Sequence, residues 1–191
     1  SYASVRAALE RQGYAFFDQG DYNLNLIGVR AASRRPGPFD DRLLVAFRQA
    51  GQPTVFAMAL TTDPGASYLR APINADGAAI LKPGQYRGMW EIGLHRSKYT
   101  ALVQRGVCTV YRDTNRDDTL DDGPSEQTGH FGINLHHARD VGITTDVGNW
   151  SAGCQVLADH EEFDLVMALA ELAAVRYGKS FTYTLIQEAQ L

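Results

Sequence analysis

The reactive side chains of this 191-residue chain are unevenly placed: four of its five histidines and one of its two cysteines fall between positions 130 and 160. Gly129-His130-Phe131-Gly132-Ile133-Asn134-Leu135-His136-His137-Ala138 is followed, after a short loop, by Asn149-Trp150-Ser151-Ala152-Gly153-Cys154-Gln155-Val156. A cysteine attacks a carbonyl as its thiolate, so it needs a base at hand and N–H donors for the oxyanion that forms. Strand-like alternation over Ile133 to His137 puts Asn134 and His136 on one face and Ile133, Leu135 and His137 on the other. His136 is then the candidate base, sharing a polar cleft with Asn134. The small residues Ser151, Ala152 and Gly153 leave the Cys154 sulfur approachable and let backbone N–H groups converge on a reacting oxygen. Cys108, between Val107 and Thr109 in an alternating run, reads as a buried strand thiol. For Cys154 the residues alone leave two readings open, nucleophile or small buried hydrophobe, although Gly153 before it and polar Gln155 after it suit a core strand poorly.

The elements that must carry these residues are mainly β. Val5, Ala8, Leu9 and Gln12 space a short helix that stops at Gly13. Leu24–Val29, Arg42–Phe47, Thr54–Leu60, Gln85–Leu94 and Leu102–Tyr111 read as strands, punctuated by the turn signals Gly51-Gln52, Asp63-Pro64-Gly65, Asp76-Gly77 and Pro83-Gly84. Ser33–Asp41 and Asp113–His130 read as surface loops. Phe163, Val166, Met167, Ala170, Leu172, Ala173 and Tyr177 space the one substantial helix, with Asp159 and Glu162 as its capping box and Gly178 as its stop. Ser180–Ile186 alternates as a last strand. The expected fold class is α+β, mainly β, as one domain over residues 1–191 with one main C-terminal helix.

Composition bounds the function. With 45% hydrophobic and 21% charged residues the chain suits one compact core. Eighteen basic against 22 acidic residues, a net charge of −4, argue against nucleic acid as the partner. Two cysteines are too few for a disulfide scaffold. No apolar run is long enough for a membrane span, and the first residues lack the pattern of a signal peptide. His130, His136 and His137 lack a partner ligand at zinc-like spacing, so no metal and no cofactor is expected. A monomer is expected.

The stretch His136 to Cys154 resembles the signature of the L,D-transpeptidase (YkuD-like) catalytic domain, in which a histidine precedes a Ser/Thr-His-Gly-Cys motif by a short loop. Here the separation is 154 − 136 = 18 residues, and Ser151-Ala152-Gly153-Cys154 occupies the motif. Lys82-Pro83-Gly84-Gln85-Tyr86 is similar to the Pro-x-Gly-x-aromatic segment that opens a strand in these domains. The resemblance covers Leu81 to Val156 and is specific over its last two dozen residues. It implies a β-sandwich or barrel-type domain, a Cys154 nucleophile, a His136 base, oxyanion donors around Gly153 and Cys154, and a histidine-orienting backbone carbonyl at His137. It implies a peptidoglycan stem peptide as substrate, cut between the L-centre of a diamino acid and a terminal D-alanine, the acyl-enzyme passing to an amine or to water. It also implies a bacterial periplasm or cell envelope, or a phage gene directed at the wall.

Three positions depart from the family pattern. Ala152 stands where a histidine is usual, Gln155-Val156 replaces a hydrophobic-Arg or hydrophobic-Asn pair, and His137 stands where small residues are commoner. Nucleophile and base survive these changes, whereas acceptor preference does not carry over. The Ala152 departure keeps a second function open, a catalytically lapsed domain that binds wall fragments or a partner protein. Ser151, Trp150, Asn134, His95 and Tyr86 are the candidate substrate contacts, Trp150 either walling the groove or packing beneath the cysteine loop. Arg70 and Arg87 are candidate carboxylate holders. Asp113 to Asp121 starts like an oxygen-ligand calcium loop, but its twelfth position is Pro124 and its sixth Asp118, so a solvated hairpin loop is the preferred reading.

Overall fold

The structure is a computed structural model that describes residues 1–122 and 125–191. Its elements in chain order are α1 (Tyr2–Arg11), β1 (Asn25–Arg30), β2 (Asp41–Gln49), β3 (Gln52–Thr61), α2 (Ala66–Arg70), β4 (Ala78–Leu81), β5 (Gly84–His95), β6 (Tyr99–Gln104), β7 (Cys108–Asp113), β8 (Glu126–Gly129), β9 (Leu135–His137), β10 (Gln155–Leu157), α3 (His160–Tyr177) and β11 (Ser180–Gln187). The fold is α+β and mainly β, as the alternating runs require. Eight strands close a barrel in the order β1-β11-β5-β6-β9-β10-β3-β2, and β4-β7-β8 form a separate small sheet.

The barrel explains a pattern that one-sided alternation does not. All six residues of β1 are buried, because Leu26 faces the main core while Ile27 and Val29 face α1 through Val5 and Leu9. Both faces are covered, so Leu26 to Val29 reads as a continuous apolar run between buried Asn25 and Arg30. The main core is filled by Val45, Leu60, Trp90, Leu102, Leu135 and Tyr183, with Phe163, Val166 and Ala170 of α3 packed against it. Helix α3 starts where Asp159 accepts the Glu161 N–H at 2.9 Å, and ends where the Gly178 N–H donates to Ala174 O at 3.0 Å.

Leu102–Tyr111 is not one strand but two, placed in different sheets. The Arg105 and Gly106 N–H groups both donate to Met89 O, at 2.7 and 3.1 Å, and this shared acceptor turns the chain out of the barrel. The Asp113–His130 loop likewise contains β8, paired antiparallel with β7, and β4 and α2 add two further elements that the punctuation concealed. In the Asp113–Asp121 turn the Asn115 Nδ2 donates to Asp117 at 3.0 Å and to Asp121 at 2.6 Å, so the loop's own amide holds its carboxylates together. Pro124, the twelfth position of the calcium reading, lies outside the described residues. Among the described residues no helix is long and apolar enough to cross a membrane.

Candidate active site

Two parallel three-residue strands, β9 and β10, build the site. Their register pairs Gln155 with Leu135 and Val156 with His136, and the Gln155 N–H to Asn134 O bond of 2.9 Å extends the ladder by one rung. Paired residues of parallel strands share a face. Leu135 and Gln155 therefore point into the barrel, and Asn134, His136 and Cys154 share the opposite face. Gln155, fully buried, accepts the Tyr183 hydroxyl at 2.7 Å, which turns this departure from the family pattern into a peg that fixes the base of the cysteine loop.

The loop before Cys154 is held from three sides. Ser151 Oγ donates to Cys154 O at 2.8 Å and accepts the Gly153 N–H at 3.1 Å, while Ser151 O accepts the Gly65 N–H at 2.9 Å. Gly153 has φ +125°, and a Cβ there would lie 2.5 Å from Ala79 O on β4, so both conformation and space demand glycine. Ser151 is completely buried and is thus a positioning residue, not a substrate contact. With the Gly153 N–H committed to Ser151, the amide left for an oxyanion at the sulfur is that of Cys154 itself.

Cys154 is half-buried and its thiol points at Gly132 O, 3.3 Å away. Burial pushes the thiol above its ordinary value, against the opposing pull of the Asn134 N–H and Arg96. The sulfur at rest is a neutral thiol. Cys108 differs: it is enclosed, pushed up to about 12 by burial, with a Gln104 amide at 3.4 Å as its hydrogen-bond donor.

The His136 Nδ1 lies 2.8 Å from His137 O. A carbonyl only accepts, so Nδ1 carries the proton and Nε2 keeps its lone pair. Burial pulls the His136 pKa down to about 3, with the like charges of His95 and His137 assisting and the His137 carbonyl opposing. The ring of His95 stacks on His136 with centroids 4.2 Å apart. Asn134 Oδ1 accepts the Gln104 N–H at 2.8 Å, which turns Nδ2 toward His95 Nδ1 at 3.0 Å. His95 Nδ1 is then an acceptor and its Nε2 bears the proton. Burial, Arg96 and His137 pull the His95 pKa down to about 4, so both rings are neutral. Arg96 reaches the cleft from the β5–β6 turn, where Arg96 and Ser97 both hold positive φ, 50° and 58°.

Three cavities run together here. The central one, about 300 Å³, is lined by Cys154, Asn134 and His95. It shares His95 and Arg96 with a cavity of about 430 Å³ lined by His136, Lys98 and Trp150. On its other side it shares Ile73, Ala79, Phe131 and Ala152 with a cavity of about 300 Å³ lined by Arg112. Cys154 thus sits midway along an extended groove.

Cys154, Asn134 and His95 line the central cavity, and His136, His95 and Trp150 line its neighbour, where Trp150, 45% exposed, forms a wall. The His137 ring turns away, packing on Tyr99 and Phe163 at 4.3 and 4.9 Å, so only its carbonyl serves the site. Tyr86 is not in the cleft: its hydroxyl donates to Lys82 O at 2.6 Å and its ring packs on the core. Arg70 pairs with Asp118 on the surface and Arg87 lies over Phe17, so neither holds a ligand in the groove. The basic groups that line it are Arg96, Lys98 and Arg112. Arg112 was legible in part, since it falls on the buried phase of the Cys108-Val110-Arg112 alternation. Among the described residues no group of His, Cys, Asp or Glu is arranged to hold a metal ion. No family model, curated protein or solved structure matches the chain.

Proposed function

We propose that this chain is a cysteine acyl transferase or peptidase of the L,D-transpeptidase type, acting on peptidoglycan stem peptides in a bacterial envelope or from a phage. The observation that carries the reading is the His136 Nδ1–H to His137 carbonyl bond of 2.8 Å, which leaves Nε2 as a base on the face that Cys154 shares. This bond supports the histidine-orienting role that the resemblance implies for the His137 carbonyl, and an imidazole held in one tautomer is what proton transfer needs.

Because thiol and imidazole are both neutral at rest, the proton moves as the bond forms. His136 Nε2 takes the Cys154 proton while the sulfur adds to the scissile carbonyl, and the Cys154 N–H supports the resulting oxyanion. Collapse breaks the C–N bond, the imidazolium returns the proton to the departing amine, and a thioester remains. Water or an incoming amine, deprotonated by the same Nε2, then adds to the thioester and expels the thiolate, which is reprotonated. A second imidazole, His95, is brought to the cleft from β5 and stacks on the base.

Incubation with purified muropeptides tests the reading by product mass. Cross-linked dimers or trimmed stems, together with an acyl adduct on Cys154, are the expected products. Cys154→Ala abolishes turnover, whereas Cys108→Ala keeps it within about twofold, since Cys108 lies in the core and outside the groove. Untouched muropeptides with no adduct on Cys154 would sink the proposal and leave a binding domain.

A further inference from the structure

The cavity beyond Ala152 carries a guanidinium whose counter-ion is missing. Arg112 is 4% exposed, and among the described residues no carboxylate lies within ion-pair distance of it. Its Nε donates to Gln127 Oε1 at 2.8 Å, its Nη1 to Gly77 O at 3.1 Å, and its plane lies 5.0 Å from the Phe131 ring centre. These contacts hold Nε and Nη1, Nη2 has no hydrogen-bond partner among the described residues, and Arg112 lines the cavity. Asp76, the acid whose charge acts on Arg112, makes no ion pair with it and accepts the Gln127 amide at 3.1 Å. Burial pulls the Arg112 pKa down, yet a guanidinium stays charged at any working pH. A buried cation is costly unless it is paired, and a fork with one free edge matches a carboxylate.

The surroundings agree. No Asp or Glu among the described residues lines this cavity. Asn74, whose Oδ1 is taken by the Asp76 N–H at 2.9 Å, lines the same wall with its Nδ2 uncommitted. The lining shared by the Arg112 and Cys154 cavities is apolar, made by Ala79, Ala152, Ile73 and Phe131. We infer that Arg112 is the specificity-determining residue of a carboxylate subsite next to the nucleophile, reading one carboxylate of the peptide while Cys154 holds its carbonyl. This rests on the acyl-transfer reading for the substrate class, whereas the cavity and its unpaired guanidinium stand without it.

The experiment compares a synthetic stem tetrapeptide ending in D-alanine with two derivatives, one amidated at the C-terminus and one amidated at the carboxylates upstream of the scissile bond. Binding to Cys154→Ala is read by calorimetry and kcat/KM is read on the intact enzyme. Loss of one charge-assisted pairing weakens one derivative by about 10- to 100-fold, and which derivative suffers identifies the carboxylate as that of the leaving residue or of the acyl donor. Arg112→Gln brings the free acid down to the level of that derivative, and Arg112→Lys recovers only part, because a point charge replaces a fork. If all three peptides bind Cys154→Ala equally, the subsite is overturned, whether or not the variants fold. Preferential binding of the acid without turnover by the intact enzyme would keep the subsite and overturn the acyl-transfer reading instead.

Discussion

The chemistry proposed for the site turns on which nitrogen of His136 carries the proton. Its bond to the His137 carbonyl decides that, and burial keeps the ring neutral down to about pH 3. The unfolded or solvent-exposed imidazole would protonate near ~6.5, so a surface base would lose activity below that value. Here the acid limb of the kcat/KM profile is expected near pH 4 or lower, checked from pH 4 to 8 with circular dichroism to confirm folding. A limb centred near 6.5 would show that a solvated histidine is the base. Replacing His136 by Ala lowers kcat/KM by about 10²- to 10⁴-fold, the usual contribution of general-base catalysis. Burial acts on Cys154 as well. A base-activated thiol is expected to react well below ~8.5, yet enclosure pushes this one up, so activation waits for substrate.

At the scale of elements, the cysteine loop is positioned by parts that are far away in sequence. Ala79 of β4 closes over Gly153, Gly65 ties down Ser151, and Tyr183 of β11 pegs Gln155. Gly153→Ala would force the loop off Ala79 O, where 2.5 Å separates a Cβ from a backbone oxygen. The expected cost is about 1–3 kcal/mol, with kcat/KM down by roughly 100-fold because a shift near 1 Å spoils the attack geometry. Melting and turnover of that variant check it together, and wild-type values for both would show that the loop is free to move. The same elements explain what the residues revealed in advance. The helix from Phe163 to Tyr177 and the long strands were legible because packing on one or two faces imposes a period. The three-residue strands β9 and β10 were not legible as strands of one site, since a parallel pairing between segments 20 residues apart leaves no local signal.

Across the whole molecule, the neutral histidines make stability depend on pH. His95 and His136 titrate at about 4 and about 3 when folded, well below the unfolded value of ~6.5. Between about pH 4 and 6.5 the unfolded chain therefore binds more protons at these two sites, so their contribution rises with pH and is lost on acidification. Asp41 works the other way: burial and Asp63 raise it to about 6, so the folded chain holds the extra proton and stability falls as pH rises through that window. His137, which burial also lowers, adds to the histidine side, and Asp113 and Glu162, which burial raises, add to the Asp41 side; the two large histidine shifts against one large carboxylate shift give a net gain. The urea midpoint is expected to rise between pH 4.5 and 6.5, and His136→Gln to flatten the rise. A midpoint that falls over that range would place the controlling titration in the Asp41 network.

The sequence alone determined the β-rich class, the main helix, and a cysteine and a histidine whose types and spacing suit acyl chemistry, because periodicity and side-chain reactivity are local properties. Only the tertiary structure decided which groups serve that pair. It took the ring of His137 out of the site and kept its carbonyl. It turned Ser151 and Gln155 inward as supports, brought His95 onto His136 from another strand, and set Arg112 unpaired at the end of the groove. Those assignments depend on barrel closure and strand register. Both are fixed by contacts between residues distant along the chain, which no local pattern records.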